Sequence, residues 1–200
     1  RRADIAMYEA KDAGRNRVCV YDASEGASER AETRIGWHER VQRAFEEQQF
    51  VLFGQPIVDI PSGCVTQYEL LLRMIDGEGN IVMPGSFLGV AERSGLIDRI
   101  DRWVVAEAAR VIRRAHKRGI DVRVQINLSA RALLRPELLD DLRSEIVGAG
   151  ITPSALIIEL TETSMVANID QAVDFLAALK ATGFGVALDD FGVGFSSFSN

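Results

Sequence analysis

Cysteine and histidine are scarce. The 200 residues hold two of each: Cys19 and Cys64, His38 and His116. The cysteines lie far apart with no CxxC spacing, so reduced thiols are expected rather than a disulfide framework or a cysteine metal site. The histidines fall on helical stretches with no partner at metal-ligand spacing. This speaks against a zinc hydrolase or an HD-type metal centre and makes both expected surface groups. No run of about eighteen apolar residues occurs, so neither a membrane span nor a signal peptide is expected. Basic residues number 23 against 29 acidic, a net charge of -6. That balance argues against an extended nucleic-acid footprint, although one basic pocket could still hold a phosphate. The Gly192-Val193-Gly194 turn lacks a following Gly-Lys-Ser/Thr, which excludes a P-loop.

What is present is an ordinary globular composition, 47% hydrophobic and 26% charged. Residues 4–13 read as a helix stopped by Gly14, and Val18 to Tyr21 as a short strand. Residues 23–34 are polar and read as a linker running into a helix from about Thr33 to Gln48. Val51 to Ile60 and Val65 to Met74 flank Pro61-Ser62-Gly63 and should pair as an antiparallel hairpin. Pro84 suits the first turn of a helix over 87–93, with Gly95 ending it. A second helix places Ile97, Ile100, Trp103, Val104, Ala108, Val111, Ile112 and Ala115 at three- and four-residue spacing. Its basic end, Arg113, Arg114, Lys117 and Arg118, reads as a solvated last turn facing the helix dipole rather than a phosphate patch.

The second half repeats. Three times a helix ends near a glycine (Gly119, Gly150, Gly183) and a short apolar strand follows, at about 122–126, 156–160 and 185–189. Each strand closes on a polar residue, Asn127, Glu159 or Asp189, spaced by roughly the length of a βα unit. Asn168 followed by Gln171 suggests a helix start between the second and third strands. Such repeats imply a parallel sheet covered by helices, either open or closed into a barrel. In both, ligands bind beyond the carboxyl ends of the strands.

Glu69, Asn127, Glu159, Asp189 and Asp190 therefore converge on one end. Four acids and an amide make an oxygen-donor site for a hard divalent cation, Mg²⁺ or Mn²⁺. Without a cation so many neighbouring carboxylates would resist ionisation. A paired metal site of this kind suits phosphodiester hydrolysis. Each residue also has a structural alternative: Asp189-Asp190 capping a helix, Asn127 capping the turn at Ser129, Glu159 pairing with an arginine.

Tyr68-Glu69-Leu70-Leu71-Leu72-Arg73 resembles the signature of the EAL family, with Leu70 where Ala is usual and the Glu-x-Leu-x-Arg framework intact. Gln55-Pro56-Ile57-Val58, Asn127-Leu128-Ser129, Glu159-Leu160-Thr161-Glu162 and Asp189-Asp190-Phe191-Gly192 match its further elements, all in family order. Gly54, Met74, Val193 and Phe195 depart from residues common there, and none of them is a metal ligand. Residues 1–22, with Ala6-Met7-Tyr8 and Gly14-Arg15-Asn16-Arg17, resemble the last helix and strand of a GGDEF domain.

The resemblance implies a modified TIM (β/α)8 barrel with an antiparallel first strand, C-terminally incomplete in this chain. It implies a GGDEF remnant at 1–22, a linker at 23–34 and the first two-thirds of an EAL-like domain at 35–200. The implied activity is two-metal hydrolysis of cyclic-di-GMP to linear pGpG. Glu69, Asn127, Glu159, Asp189 and Asp190 would be ligands to Mg²⁺ or Mn²⁺. Gln55 and Arg73 would bind the dinucleotide, and Glu162 would hold the loop that begins at Asp190. That loop would also carry a homodimer contact. A bacterial cytoplasmic location is implied, and the parent could be membrane-anchored through an absent N-terminal region. The chain stops before the family's downstream catalytic Lys, Glu and Gln, so the piece alone is expected to be inactive. The alternative is a degenerate EAL domain that serves as a cyclic-di-GMP receptor or protein-interaction module.

Overall fold

A computed structural model of the chain describes residues 27–161 and 169–189, with side chains from residue 36 onward. The GGDEF-like helix and strand, Glu162, Asn168, Asp190 and the glycine-rich loop after it lie outside the described residues. Helix α1 (Ala27–Glu46) starts well before the expected Thr33, taking in much of the polar stretch read as linker. That stretch, Ala-Ser-Glu-Arg-Ala-Glu-Thr-Arg, lacks an apolar stripe but is built from good helix formers without Pro or Gly. A missing packing signal is therefore no argument against helix.

The described residues divide into two compact units. Those up to Val51 form the first, together with Arg73–Leu96. Its core gathers Val41, Ala44, Phe50, Met74, Phe87 and Ala91, none more than 4% exposed. The ring of Phe50 lies 4.9 Å from that of Phe45 and 5.9 Å from that of Phe87. Both pairs are tilted, an arrangement the ring quadrupoles favour over face-to-face stacking. Strand β3 (Ile81–Val82) pairs antiparallel with Met74 and Ile75. The carboxylate of Asp76 closes the intervening turn by accepting the N–H groups of Glu78 and Asn80. Pro84 opens a single 3-10 turn, and α2 (Leu88–Ser94) ends at Gly95 in the left-handed conformation, φ 76°.

The second unit comprises Leu52–Leu72 and the described residues from Ile97 onward. Strands β1 (Phe50–Val58) and β2 (Val65–Ile75) are sheet neighbours. Their six-residue link, with the Asp59 N–H donating to the Cys64 carbonyl, makes them the expected antiparallel hairpin. Then β4 (Val124–Asn127), β5 (Leu156–Thr161) and β6 (Gly185–Asp189) add in parallel, giving the order β1-β2-β4-β5-β6. The result is an α/β fold on a parallel-strand sheet.

Each return to the sheet uses one device. Gly119, Gly150 and Gly183 all take positive φ, at 72°, 71° and 95°. The N–H of the next residue then reaches five positions back: Ile120 to Ala115, Ile151 to Ile146, Phe184 to Leu179, at 3.0, 3.0 and 3.1 Å. This is the Schellman stop, which satisfies orphan carbonyls and turns the chain sharply into a strand.

Helix α3 (Ile97–His116) buries Ile97, Ile100, Val104, Ala108 and Ile112 as its spacing foretold. Trp103, Val111 and Ala115 are only half-buried, whereas Asp101, Val105 and Ala109 are buried. The apolar stripe is centred one position away from the expected one. Helix α4 (Pro136–Leu142), continued by a π-helical turn over Arg143–Val147, and helix α5 (Ile169–Thr182) follow in this unit. The basic end of α3 is solvated: Arg114 pairs with Glu107, while Lys117 and Arg118 are exposed. No helix among the described residues is long and apolar enough to cross a membrane.

The two faces of the sheet differ. Leu70, Val124, Ile126, Leu156, Ile158 and Leu160 share one face and are at most 6% exposed. The other face carries Glu69, Gln125, Asn127, Glu159 and Asp189. On that face Gly185 stands beside Ile157, and a Cβ there would lie 2.7 Å from Ile157 Cγ1 and 3.4 Å from its Cα. Gly185→Val should therefore destabilise the fold by about 1–3 kcal/mol through overpacking, read as a lowered urea midpoint at unchanged m-value. An unchanged midpoint would show that β6 does not pack against β5 this closely.

Candidate active site

The parallel register sets the site in rows. Glu69 lies opposite Gln125, which lies opposite Ile157, which lies opposite Gly185. Two residues further along, Asn127 lies opposite Glu159 and Glu159 opposite Ala187. Two further again, Thr161 lies opposite Asp189. The acids thus climb the sheet by two rows: Glu69 in the first, Glu159 beside Asn127 in the next, and Asp189 in the last.

Side chains bridge the stagger diagonally. Gln67 Nε2 donates to Gln125 Oε1 at 3.0 Å, and Gln125 Nε2 donates to Glu159 Oε2 at 2.6 Å. Asn127 Nδ2 donates to Glu69 Oε1 at 2.8 Å. Asn127 therefore turns its amide to a carboxylate rather than to the Ser129 turn. By the same two-residue offset, Asp189 is the diagonal neighbour of Glu159. Glu159 is buried at 7% exposure, Glu69 is half-buried, and Asn127 and Asp189 are exposed. Gln55 is exposed on β1, and Arg73 sits on the part of β2 that belongs to the first unit.

By donor chemistry, three carboxylates and a carboxamide on neighbouring strands fit a hard divalent cation. Among the described residues, no three His, Cys, Asp or Glu side chains are grouped closely enough to hold one. Glu69 and Asp189 stand two rows apart on the sheet. Cys64 is free and exposed, and His116 is exposed beside Asp121.

Sequence reasoning missed three groups. Gln67 and Gln125 are the amides of the diagonal, and Gln125 was visible as a lone polar residue inside the apolar strand Val-Gln-Ile-Asn. The third is Asp101, buried at 2% exposure on the apolar face of α3. Its Oδ1 accepts the Ser129 N–H at 3.2 Å and its Oδ2 the Ser129 hydroxyl at 2.6 Å. A charge on a helix stripe between Ile97 and Val105 was the signal. Asp98, one turn away, pairs with Arg131 at 3.1 Å and Arg135 at 3.5 Å.

Residues 38–200 match the sequence model of the EAL domain family. The chain belongs to that family. It is 38% identical over 196 residues to the bifunctional diguanylate cyclase/cyclic di-GMP phosphodiesterase MucR of Pseudomonas aeruginosa, covering 98% of this chain and 28% of MucR. Its fold matches the PaMucR phosphodiesterase in its c-di-GMP complex with TM-score 0.76 and 36% identity, over 81% of this chain and 66% of that one. The Xanthomonas citri FimX EAL domain in complex with c-diGMP matches with TM-score 0.73 and 26% identity, over 80% and 62%. The EAL chain spans between 25% and 32% of the curated relatives it matches.

Burial gives Asp101 a pH signature. Desolvation raises its carboxyl from the ordinary 3.8 to about 6, against the opposing pull of the Ser129 bonds and of Arg135. A raised acid stabilises the fold below its unfolded pKa, and that stabilisation is lost as pH rises from about 4 through about 6. Asp101→Asn keeps the shape but cannot ionise. Its stability relative to the parent should rise between pH 4 and 6 by about 1–3 kcal/mol in urea titrations. A pH-independent difference would mean that Asp101 is not desolvated.

Proposed function

We propose that the EAL chain is the catalytic face of a cyclic-di-GMP phosphodiesterase that yields linear pGpG. The observation that carries this reading is the convergence of Glu69, Asn127 and Glu159 on adjacent parallel strands, with Glu69 and Asn127 joined at 2.8 Å. The phosphodiesterase named among its relatives supports the choice of substrate. The sheet would be part of a (β/α)8 barrel with β1 antiparallel, its mouth at the strand ends that carry these residues.

Glu69, Asn127, Glu159, Asp189 and Asp190 would hold Mg²⁺ or Mn²⁺ in a two-metal site. Such ions supply Lewis acidity at the scissile phosphodiester. The amides of Gln125 and Asn127 orient the carboxylates of Glu159 and Glu69, so that donors are aimed before a cation arrives. Gln55 and Arg73 would bind the dinucleotide, Arg73 gripping a phosphate with the two-pronged guanidinium. Glu162 would hold the loop beginning at Asp190, and a homodimer through that loop belongs to the same reading. An upstream GGDEF tail at 1–22 and a cytoplasmic setting do too.

A second reading is binding without cleavage, favoured by an EAL relative solved with c-diGMP whose name specifies no enzyme. Ion-exchange analysis of products from cyclic-di-GMP separates the two. Metal-dependent pGpG that disappears with EDTA is expected. Glu69→Ala should lower turnover by about 100-fold or more if it is a metal ligand. Arg73→Ala should weaken dinucleotide affinity by about 10-fold, the usual cost of removing one charged hydrogen-bond donor. A folded full-length protein that binds cyclic-di-GMP and releases no pGpG would make it a receptor.

A further inference from the structure

Three polar side chains are buried among the described residues: Gln125, Glu159 and Asp101. Gln125 and Glu159 bond to each other within the site. Asp101 is on a helix behind the sheet, where an aliphatic residue would pack without desolvating a charge. Both of its oxygens serve one residue, Ser129, accepting its N–H and its hydroxyl. Ser129 is two positions beyond Asn127. Between them, the Leu128 N–H donates to the Glu159 carbonyl at 3.1 Å. The backbone leaving β4 is thus held on one side by β5 and on the other by α3.

The same turn of α3 reinforces this grip. Asp98 accepts Arg131 Nε at 3.1 Å and Arg131 Nη2 at 3.4 Å, and its carbonyl accepts Arg135 Nη1 at 3.4 Å. Arg131 and Arg135 lie on the turn that Ser129 begins. A helix start and a strand exit are therefore joined by side chains from both.

We propose that Asp101 is a positioning residue: by clamping Ser129 it fixes the exit of β4, and with it the aim of the Asn127 carboxamide toward Glu69. Asp101 bonds to Ser129 and acts on Asn127 through two residues of backbone. The inference rests on the metal-site reading for its consequence, but not for its geometry.

The test follows the side-chain amide resonances of Asn127 by NMR in the full-length protein, alongside Mn²⁺ affinity, kcat and KM. Ser129→Ala removes one of the two bonds with little risk to folding. Asp101→Ala removes both, and Asp101→Asn retains the shape and one acceptor. Ser129→Ala and Asp101→Ala should shift or broaden the Asn127 amide pair. They should also weaken Mn²⁺ binding about tenfold, the usual loss when a ligand's supporting partner is removed. The activity loss should fall on kcat, with KM little changed, and Asp101→Asn should restore most of each quantity. Folded Ser129→Ala and Asp101→Ala proteins with parental Asn127 resonances would overturn the proposal. That readout needs no turnover, so a protein that never cleaves cyclic-di-GMP would defeat the functional reading and leave this result standing on its own.

Discussion

The parallel register of β2, β4, β5 and β6 is the constraint on which the site depends. Strand side chains alternate between faces, so a one-residue slip in any strand would exchange its polar set for its apolar one. The apolar face resists that slip strongly, because Leu70, Ile126 and Ile158 share one row and are almost wholly buried. Burial of greasy residues on one face thereby fixes where Glu69, Asn127 and Glu159 stand on the other. The three Schellman stops act upstream of this register. Each sets the residue at which a helix ends, and so the residue at which the following strand can begin.

Within the register, the amides of Gln125 and Asn127 on β4 stand between the acids Glu69 on β2 and Glu159 on β5. Along one diagonal the order is Gln67, Gln125, Glu159 and along the next it is Glu69, Asn127. Adjacent carboxylates would repel in a partly buried site, whereas an amide between them donates to one, as Asn127 does to Glu69 and Gln125 to Glu159. A set of acids alone would hold more charge but would be poorly ordered until a cation arrived. The interleaved set is ordered by its own hydrogen bonds.

Much of this was legible from residue order. The strand spans, the hairpin, the glycine stops and the parallel order follow from apolar runs bounded by turn residues, because those patterns reflect local physics. The start of α1 was not legible, since a polar helix offers propensity without periodicity. Neither was the centring of the stripe on α3: a shift of one position moved burial from Trp103 and Val111 to Val105, Ala109 and Asp101. The polar residues at strand ends were identifiable as a set, but the row-by-row stagger between them was not. Register is a relation between strands, and no single strand records it. Gln125 and Asp101 went unnoticed for a related reason. Their partners, Glu159 and Ser129, are 34 and 28 residues away.

Asp101 also bears on why a protein keeps a buried carboxylate at all. An aliphatic side chain there would remove the desolvation penalty that raises its pKa to about 6. It would also leave the half-buried Ser129 N–H and hydroxyl without their acceptors, at a cost of up to about 1–3 kcal/mol. The two terms are of similar size, so stability alone does not select for aspartate. What a planar side chain with two polar atoms supplies, and an aliphatic one does not, is direction: it holds one residue by backbone and side chain together. Where Glu69 and Asn127 sit one row apart on neighbouring strands, direction at the end of β4 decides whether the amide meets the carboxylate or misses it.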